Sequence, residues 1–436
     1  MPPAERSGLI GWWQAHRSGR AVVIAWLVTR VLMLVLMAAI DTTNRSHPVT
    51  GDVFYYHRKI VGLFEVGLPG TMMEYPTPVV WILTIPYGLG LGSPAGYVAA
   101  FVVGMLALDG IFTYALWRSG GRRHDLALDF WIAFVFLVGP LSYTRFDLIP
   151  AVLAGGALLA ARTRPWLAGA LTGLGAAIKL WPALLIPALL ADKRRRLPTV
   201  IGFVVVGFGL ALLSLLTGGL TRLFSPLTWQ SGRGLQIESV WASPLMLARM
   251  VAPERWVVQI SKYQAFEIFG PGVGIWETAS SIATVVGLVV LVLLWIRAFR
   301  VRGGVTPVAV GLVVLATVAV MIITNKTLSP QYLLWLGGPV AALLLLCGRA
   351  ATPQRRRLVR IAAATLVLAG LTQLVYPLLY DSYLNLHGQA GLVVATLVTA
   401  SRNLGLLGYT VATLFLAWRA TSSSPATPSP AADAGR

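Results

Sequence analysis

An all-α polytopic membrane protein, a bundle of about 12 transmembrane helices with broken or re-entrant segments and polar loops on its outer face, is the fold class this sequence predicts. Three observations predict it. Hydrophobic residues make up 56% of the 436-residue chain and charged residues only 12%, more apolar surface than the interior of a soluble domain can hide. Apolar runs of about 20 residues, the length that crosses about 30 Å of hydrocarbon, recur from Ala21 to Trp418. The formal charge of +19 is concentrated between those runs, as cytoplasmic loops are under the positive-inside rule. A strongly basic chain otherwise suggests nucleic acid as a partner, and this distribution excludes that class.

The first run, Ala21–Ile40, is as long as a full span, carries Arg30 and lacks a small-residue cleavage site, so it reads as a transmembrane helix and not a signal peptide. Full-length runs follow at Ala95–Trp117, Thr199–Thr217, Ser280–Ile296, Thr306–Ile323, Tyr332–Cys347 and Leu358–Tyr380, and Ala390–Trp418 exceeds one span. Two regions are interrupted: Phe130–Ala161 by Gly139-Pro140 and Arg145-Phe146-Asp147, and Trp166–Ala191 by Lys179-Leu180-Trp181-Pro182. Basic clusters bound both, so each is predicted to be a hairpin with an outward tip. Irregular backbone at that depth is tolerated where it lines a cavity. The stretch Pro78–Gly92, with Pro76, Pro78 and Pro86, is predicted to be a partial or re-entrant segment. With both termini cytoplasmic, residues 1–420 form a single transmembrane domain with outer loops 41–77 and 218–277, and the Ser/Pro/Ala-rich residues 421–436 form a disordered cytoplasmic tail. Cys347 is the single cysteine, so no intramolecular disulfide exists. Arg30 and Asp109 are both mid-helix and are predicted to pair inside the bundle.

Polar chemistry concentrates on the outer side. In the first loop, Asp52 is followed by Tyr55 and Tyr56; this suits either a general base beside sugar-stacking aromatics or an N-cap for a juxtamembrane helix. At the first hairpin tip, Arg145 and Asp147 lie between apolar helices and fit either a structural pair or a phosphate contact by Arg145. Lys179 fits either a snorkelling cation or a wall of the same pocket. The large loop gathers Arg233, Gln236 and Glu238 between Trp229 and Trp241, a composition suited to a glycan-facing surface. Lys326 and Gln331 lie in a polar turn opening into a helix, and a lysine there is either solvated or an anion site. The five histidines have no ligand spacing, there is no Walker loop, and no metal ligands are identified.

Taken in order, Asp52 with Tyr55-Tyr56, Tyr75-Pro76, Arg145-Phe146-Asp147, Lys179 with Pro182, Gly234-Leu235-Gln236-Ile237-Glu238-Ser239, and Asn325-Lys326 with Ser329-Pro330-Gln331-Tyr332 resemble the GT-C glycosyltransferases. The resemblance is in particular to glycosyltransferase family 87, whose members include mycobacterial mannosyltransferases of phosphatidylinositol mannoside and lipomannan synthesis. It implies a GT-C bundle in the cytoplasmic membrane and an extracytoplasmic active site. It also implies a polyprenyl-phosphate sugar donor such as polyprenyl-phosphate mannose, a lipid or glycan acceptor, and inversion with Asp52 as general base. Lys326, Arg145, Arg233 and Lys179 are the implied donor-phosphate contacts, and Glu238, Tyr55, Tyr56, Gln236 and Gln331 the acceptor or sugar contacts. The first loop offers Asp52 without an adjacent second acid, so the two-carboxylate form of the signature is absent and a divalent metal is not indicated. A lipid or glycolipid transporter is the competing class. It predicts an internal repeat, which the sequence does not display.

Overall fold

The computed structural model describes residues 19–44, 47–121, 125–302, 304–348, 352–384 and 388–422. Most of the predicted tail, residues 423–436, and parts of the basic clusters lie outside these. Among the described residues, seven helices are long and apolar enough to cross a membrane. They are α1 (Gly19–Thr43), α4 (Pro94–Ser119), α8 (Lys193–Ser231), α10 (Val273–Arg300), α11 (Pro307–Thr324), α13 (Pro353–Leu378) and α14 (Gly388–Ala420). Five shorter apolar helices accompany them: α3 (Thr77–Leu89), α5 (Leu126–Val138), α6 (Leu148–Ala160), α7 (Pro165–Ile178) and α12 (Pro330–Leu346). Of the full-length helices α11 is the most enclosed, packing against α10, α12 and α14, whereas α1, α8 and α10 turn rows of Val, Leu and Ile outward, as lipid-facing helices do.

Both interrupted regions consist of two helical segments joined through an irregular tip. After α5, Gly139 takes a left-handed φ of 75°, Leu141–Thr144 makes a single turn, and Arg145 is extended before α6 begins. After α7, Lys179 is likewise extended, and Trp181–Leu185 continues as a 3₁₀ turn. Pro165, Pro182 and Pro187 start new helical segments, where a missing N–H costs nothing. Helix α3 has 13 residues, about 20 Å at 1.5 Å per residue, too short to cross the hydrocarbon. Its far end returns to the same face, since the Gly92 carbonyl lies 3.0 Å from His57 Nε2.

The long polar loops 41–77 and 218–277 are more structured than the sequence suggests. Residues Gly51–Gly70 form α2, kinked at Gly67. Helix α8 does not stop at Thr217 but turns at Gly219, at φ 78°, and runs on to Ser231. Beyond it come a short helix α9 (Ser243–Arg249) and the strands β1 (Val257–Ile260) and β2 (Phe266–Phe269), an antiparallel hairpin pairing Val257 with Phe269 and Ile260 with Phe266. This two-stranded element departs from the all-helical expectation. It survives because β2 is covered by a small core of Leu235, Ile237 and Tyr383, separate from the main bundle.

The predicted Arg30–Asp109 pair is present and fully buried, with Arg30 Nε 2.8 Å from Asp109 Oδ2. Asp109 also accepts hydrogen bonds from Trp26 Nε1 at 2.9 Å, Trp131 Nε1 at 2.7 Å and the Tyr143 hydroxyl at 2.7 Å. One carboxylate thus joins α1, α4, α5 and the first hairpin tip. A second tight contact is made by backbones: a Cβ on Gly202 of α8 would stand 2.0 Å from the Trp166 carbonyl of α7, so only glycine lets these helices approach so closely.

Replacing Asp109 by Ala leaves a buried guanidinium uncompensated and should cost about 3–5 kcal/mol, read as a lowered unfolding midpoint in detergent. Gly202→Val should lower that midpoint while the smaller Gly209→Ala, at a position with open space around its Cα, leaves it unchanged.

Candidate functional site

One cavity of about 580 Å³ opens at one end of the bundle, lined by α2, both hairpin tips, the end of α8, the β-hairpin, the turn before α12 and the end of α13. The basic clusters at Arg118, Arg162, Arg164, Lys193–Arg196, Arg297–Arg300 and Arg355–Arg360 occupy the other ends of these and neighbouring helices. Of the residues singled out in the sequence, Asp52, Tyr55, Tyr56, Arg145, Lys179, Arg233, Gln236 and Gln331 line the cavity. Segments spread over 280 residues of chain, Asp52 to Gln331, meet there.

Asp52 is the second residue of α2, and Thr50 holds the N-cap position; the N-cap reading of Asp52 therefore fails. The approach to α2 is closed by Asp41, which accepts from the Val49 N–H and the Thr50 hydroxyl, both at 2.6 Å. Asp52 is 46% exposed, and its Oδ2 is 2.7 Å from Arg145 Nε. Arg145 is itself buried, donating to the Tyr376 hydroxyl at 3.0 Å and to the Thr144 carbonyl at 3.1 Å. The guanidinium thus aims one carboxylate oxygen and leaves the other to the cavity.

The Arg145–Asp147 pair considered from sequence does not form. Asp147 takes Lys179 Nζ at 2.6 Å and Trp335 Nε1 at 2.8 Å, while the chain turns at Phe146 and Arg145 reaches Asp52 instead. Lys179 sits over the rings of Tyr332, Trp335 and Phe146, 5.0 to 5.4 Å from their centroids. It is held by a carboxylate and aromatic faces rather than reaching out to solvent.

A second carboxylate lines the cavity. Glu74, to which the sequence assigned no role, accepts from the Tyr55 hydroxyl at 2.6 Å. Burial and the adjoining Glu74 raise the Tyr55 phenol above its ordinary value, so it remains a neutral donor. The loop carrying Glu74 is gripped from α8: Arg222 donates to the carbonyls of Leu68, Met72 and Tyr75 at 2.9 to 3.3 Å, and Ser225 to that of Met73 at 2.8 Å. Glu74 thus brings a second carboxylate to the cavity wall, 22 positions after Asp52 in the chain. Among the described residues no three His, Cys, Asp or Glu side chains converge as a metal site.

Three of the singled-out residues stand differently from the sequence picture. Glu238 does not line the cavity: it is buried, with Oε2 3.1 Å from Arg402 Nη1 of α14 and its carbonyl accepting from Asn403 Nδ2 at 3.2 Å. Burial pushes its carboxyl up to about 7 against the opposing pull of Arg402. It therefore ties the large loop to α14, and does not reach a sugar. Lys326 also lies outside the lining, with Nζ 3.4 Å from the Ser231 carbonyl, while the neighbouring Asn325 and Ser329 do line the cavity. Gln236 faces the cavity but spends its amide on Ser329, at 2.9 and 3.2 Å. Arg233, by contrast, has a buried Nε without a hydrogen-bond partner among the described residues. Tyr376, Tyr380 and Arg402 went unnoticed in the sequence, because a tyrosine near a helix end reads as an interfacial aromatic and Arg402 is a lone cation in a long apolar run.

The sequence model of glycosyltransferase family 87 matches residues 75–324, more than half of the chain. That span contains Arg145, Lys179, Arg233 and Glu238, and lies between Asp52 and Lys326. Among solved structures, ArnT from Cupriavidus metallidurans bound to undecaprenyl phosphate is similar at 15% identity over 95% of this chain and 78% of that one, with a TM-score of 0.43. The apo state of the same protein is similar at 15% identity, over 89% and 77% of the two chains, with a TM-score of 0.40. No curated protein matches the sequence.

Removing the Tyr376 hydroxyl in Tyr376→Phe deletes one charge-assisted hydrogen bond to Arg145. It should lower turnover by roughly tenfold with folding intact, and unchanged turnover would mean that Asp52 alone fixes the guanidinium.

Proposed function

Since the chain belongs to glycosyltransferase family 87, we propose that it is a membrane enzyme that transfers mannose from a polyprenyl-phosphate-linked donor to a lipid or glycan acceptor on the outer face of the cytoplasmic membrane. The observation that carries this reading is the division of charge in one cavity. Two carboxylates, Asp52 and Glu74, line it together with the cations Arg58, Arg145, Lys179 and Arg233. A cavity of about 580 Å³ accommodates a sugar and its phosphate, and Tyr55, Trp181, Tyr332 and Trp335 supply aromatic lining.

In this mechanism the acceptor hydroxyl gives its proton to the free oxygen of Asp52 as the hydroxyl oxygen bonds to the anomeric carbon. The bond from that carbon to the phosphate oxygen breaks on the opposite side, so configuration inverts. The departing polyprenyl phosphate keeps the bonding electrons and gains negative charge, which cations already in place stabilise without reorganisation. Arg145 is committed to Asp52 and Tyr376, and Lys179 to Asp147. Of the two remaining cations in the lining, Arg58 is exposed, whereas Arg233 carries a buried N–H without a partner among the described residues and is the better placed to receive the phosphate. Lys326 acts at the rim, and Glu74 with Tyr55 and Gln331 binds sugar hydroxyls. This departs from the order expected from sequence, in which Lys326 and Arg145 led.

The test is transfer from labelled polyprenyl-phosphate mannose to a panel of lipid acceptors by the purified chain, with analysis of the linkage formed. Asp52→Asn should lose at least about 10²-fold in turnover while still binding the donor. Retained turnover in that variant removes Asp52 from the base role, and transfer from a different sugar donor overturns the mannose assignment.

A further inference from the structure

A second cavity, of about 490 Å³, lies between the ends of α11, α13 and α14 that point away from the catalytic cavity. Its lining comprises Leu312, Gln354, Arg357, Leu358, Leu416, Arg419, Ala420 and Ser422. Two guanidiniums come from different helices, Arg357 in the first turn of α13 and Arg419 in the last turn of α14, and no carboxylate is among the lining residues. A third cation stands behind them. Arg297 at the end of α10 bonds the Ser422 hydroxyl and lies 4.5 Å from the centroid of the Trp418 ring. Arg357 and Arg419 are exposed to solvent and face a space with no carboxylate among its lining residues, so an anion that enters it meets positive charge from two helices at once.

The apolar side of the cavity indicates what kind of anion. Leu312 and Leu358 are buried at its floor, which a free hydrated ion does not need. From the cavity mouth an exposed apolar stripe runs down α14 through Phe415, Val411, Leu407 and Leu404, spaced as one helix face. The Arg419 guanidinium lies 5.4 Å from the Phe415 ring centroid, at the head of that stripe. A charged pocket at the end of a helix pair, continued by an outward apolar row, matches a lipid with its headgroup in the pocket and an acyl chain along the helix.

We propose that this cavity is a binding site for the phosphodiester headgroup of an anionic phospholipid in the leaflet opposite the catalytic cavity, which the basic clusters mark as cytoplasmic. The site does not depend on the sugar-transfer reading. Its residues are also remote from the catalytic residues, so sugar transfer in detergent is a control for folding.

Native mass spectrometry of the full chain, titrated with phosphatidylglycerol, phosphatidylcholine or inorganic phosphate, tests it. The intact protein should retain phosphatidylglycerol in preference to phosphatidylcholine. The double variant Arg357→Gln with Arg419→Gln should bind phosphatidylglycerol roughly tenfold more weakly or worse, with sugar transfer unchanged. The equally basic and exposed pair Arg162→Gln with Arg164→Gln, on the same face, should leave the affinity as it was. An equal loss in that control pair means diffuse surface attraction and overturns the site, as does equal retention of the two lipids by the intact protein. Displacement of the lipid by millimolar inorganic phosphate would make a free phosphate the ligand and overturn the lipid assignment. Should the double variant not fold, the lipid comparison on the unaltered chain decides.

Discussion

The Asp109 carboxylate is the contact on which the geometry of the catalytic end depends. A bare carboxylate inside hydrocarbon is unsustainable, so four side chains converge on it: Arg30 and Trp26 from α1, Trp131 from α5 and Tyr143 from the first hairpin tip. Arg30 is satisfied in turn by the Ile132 carbonyl at 2.9 Å. Because Tyr143 stands only two residues before Arg145, the knot that holds three helices together also sets the position of the tip that supports Asp52. Stability deep in the bundle and orientation at its surface are one problem here.

The same economy governs the cavity. Each buried charge near it is answered by a partner from a distant part of the chain: Arg145 by Asp52, Asp147 by Lys179, Glu238 by Arg402. Such pairs add little net stability, since desolvation cancels most of the attraction. What they supply is specificity of placement. Arg145–Asp52 ties a hairpin tip to α2, Asp147–Lys179 ties the two hairpin tips together, and Glu238–Arg402 ties the large loop to α14. In the lining, the exposed half of Asp52, the Arg233 Nε and the Trp181 Nε1 are left over, and unspent polar capacity inside a walled cavity is what a ligand requires.

The two faces of the bundle differ in how charge is managed. At the catalytic end, carboxylates and cations alternate and mostly cancel within the cavity wall. At the far end arginines from α10, α13 and α14 accumulate around a second space. The first presents both signs of charge to its interior, while the second sets arginines beside buried leucines with no acid in the lining.

Composition, apolar run length and the spacing of basic clusters determined the membrane class, most of the helices and the two broken hairpins, because lipid solvent imposes those features locally. Sequence also isolated Asp52, Arg145, Lys179 and Arg233, since polar residues beside apolar runs are conspicuous. It did not reveal partners. Arg145 and Asp147 are only two positions apart yet answer different charges, Glu74 meets Tyr55 only once the chain after α2 folds back on it, and Glu238 turns away to Arg402, 164 residues on. The β-hairpin and the extension of α8 past Gly219 were likewise hidden, since a short polar loop carries no periodicity strong enough to announce them. Which charge faces the cavity and which is consumed in its wall is decided by long-range packing, where desolvation punishes every unmatched group and local sequence has no say.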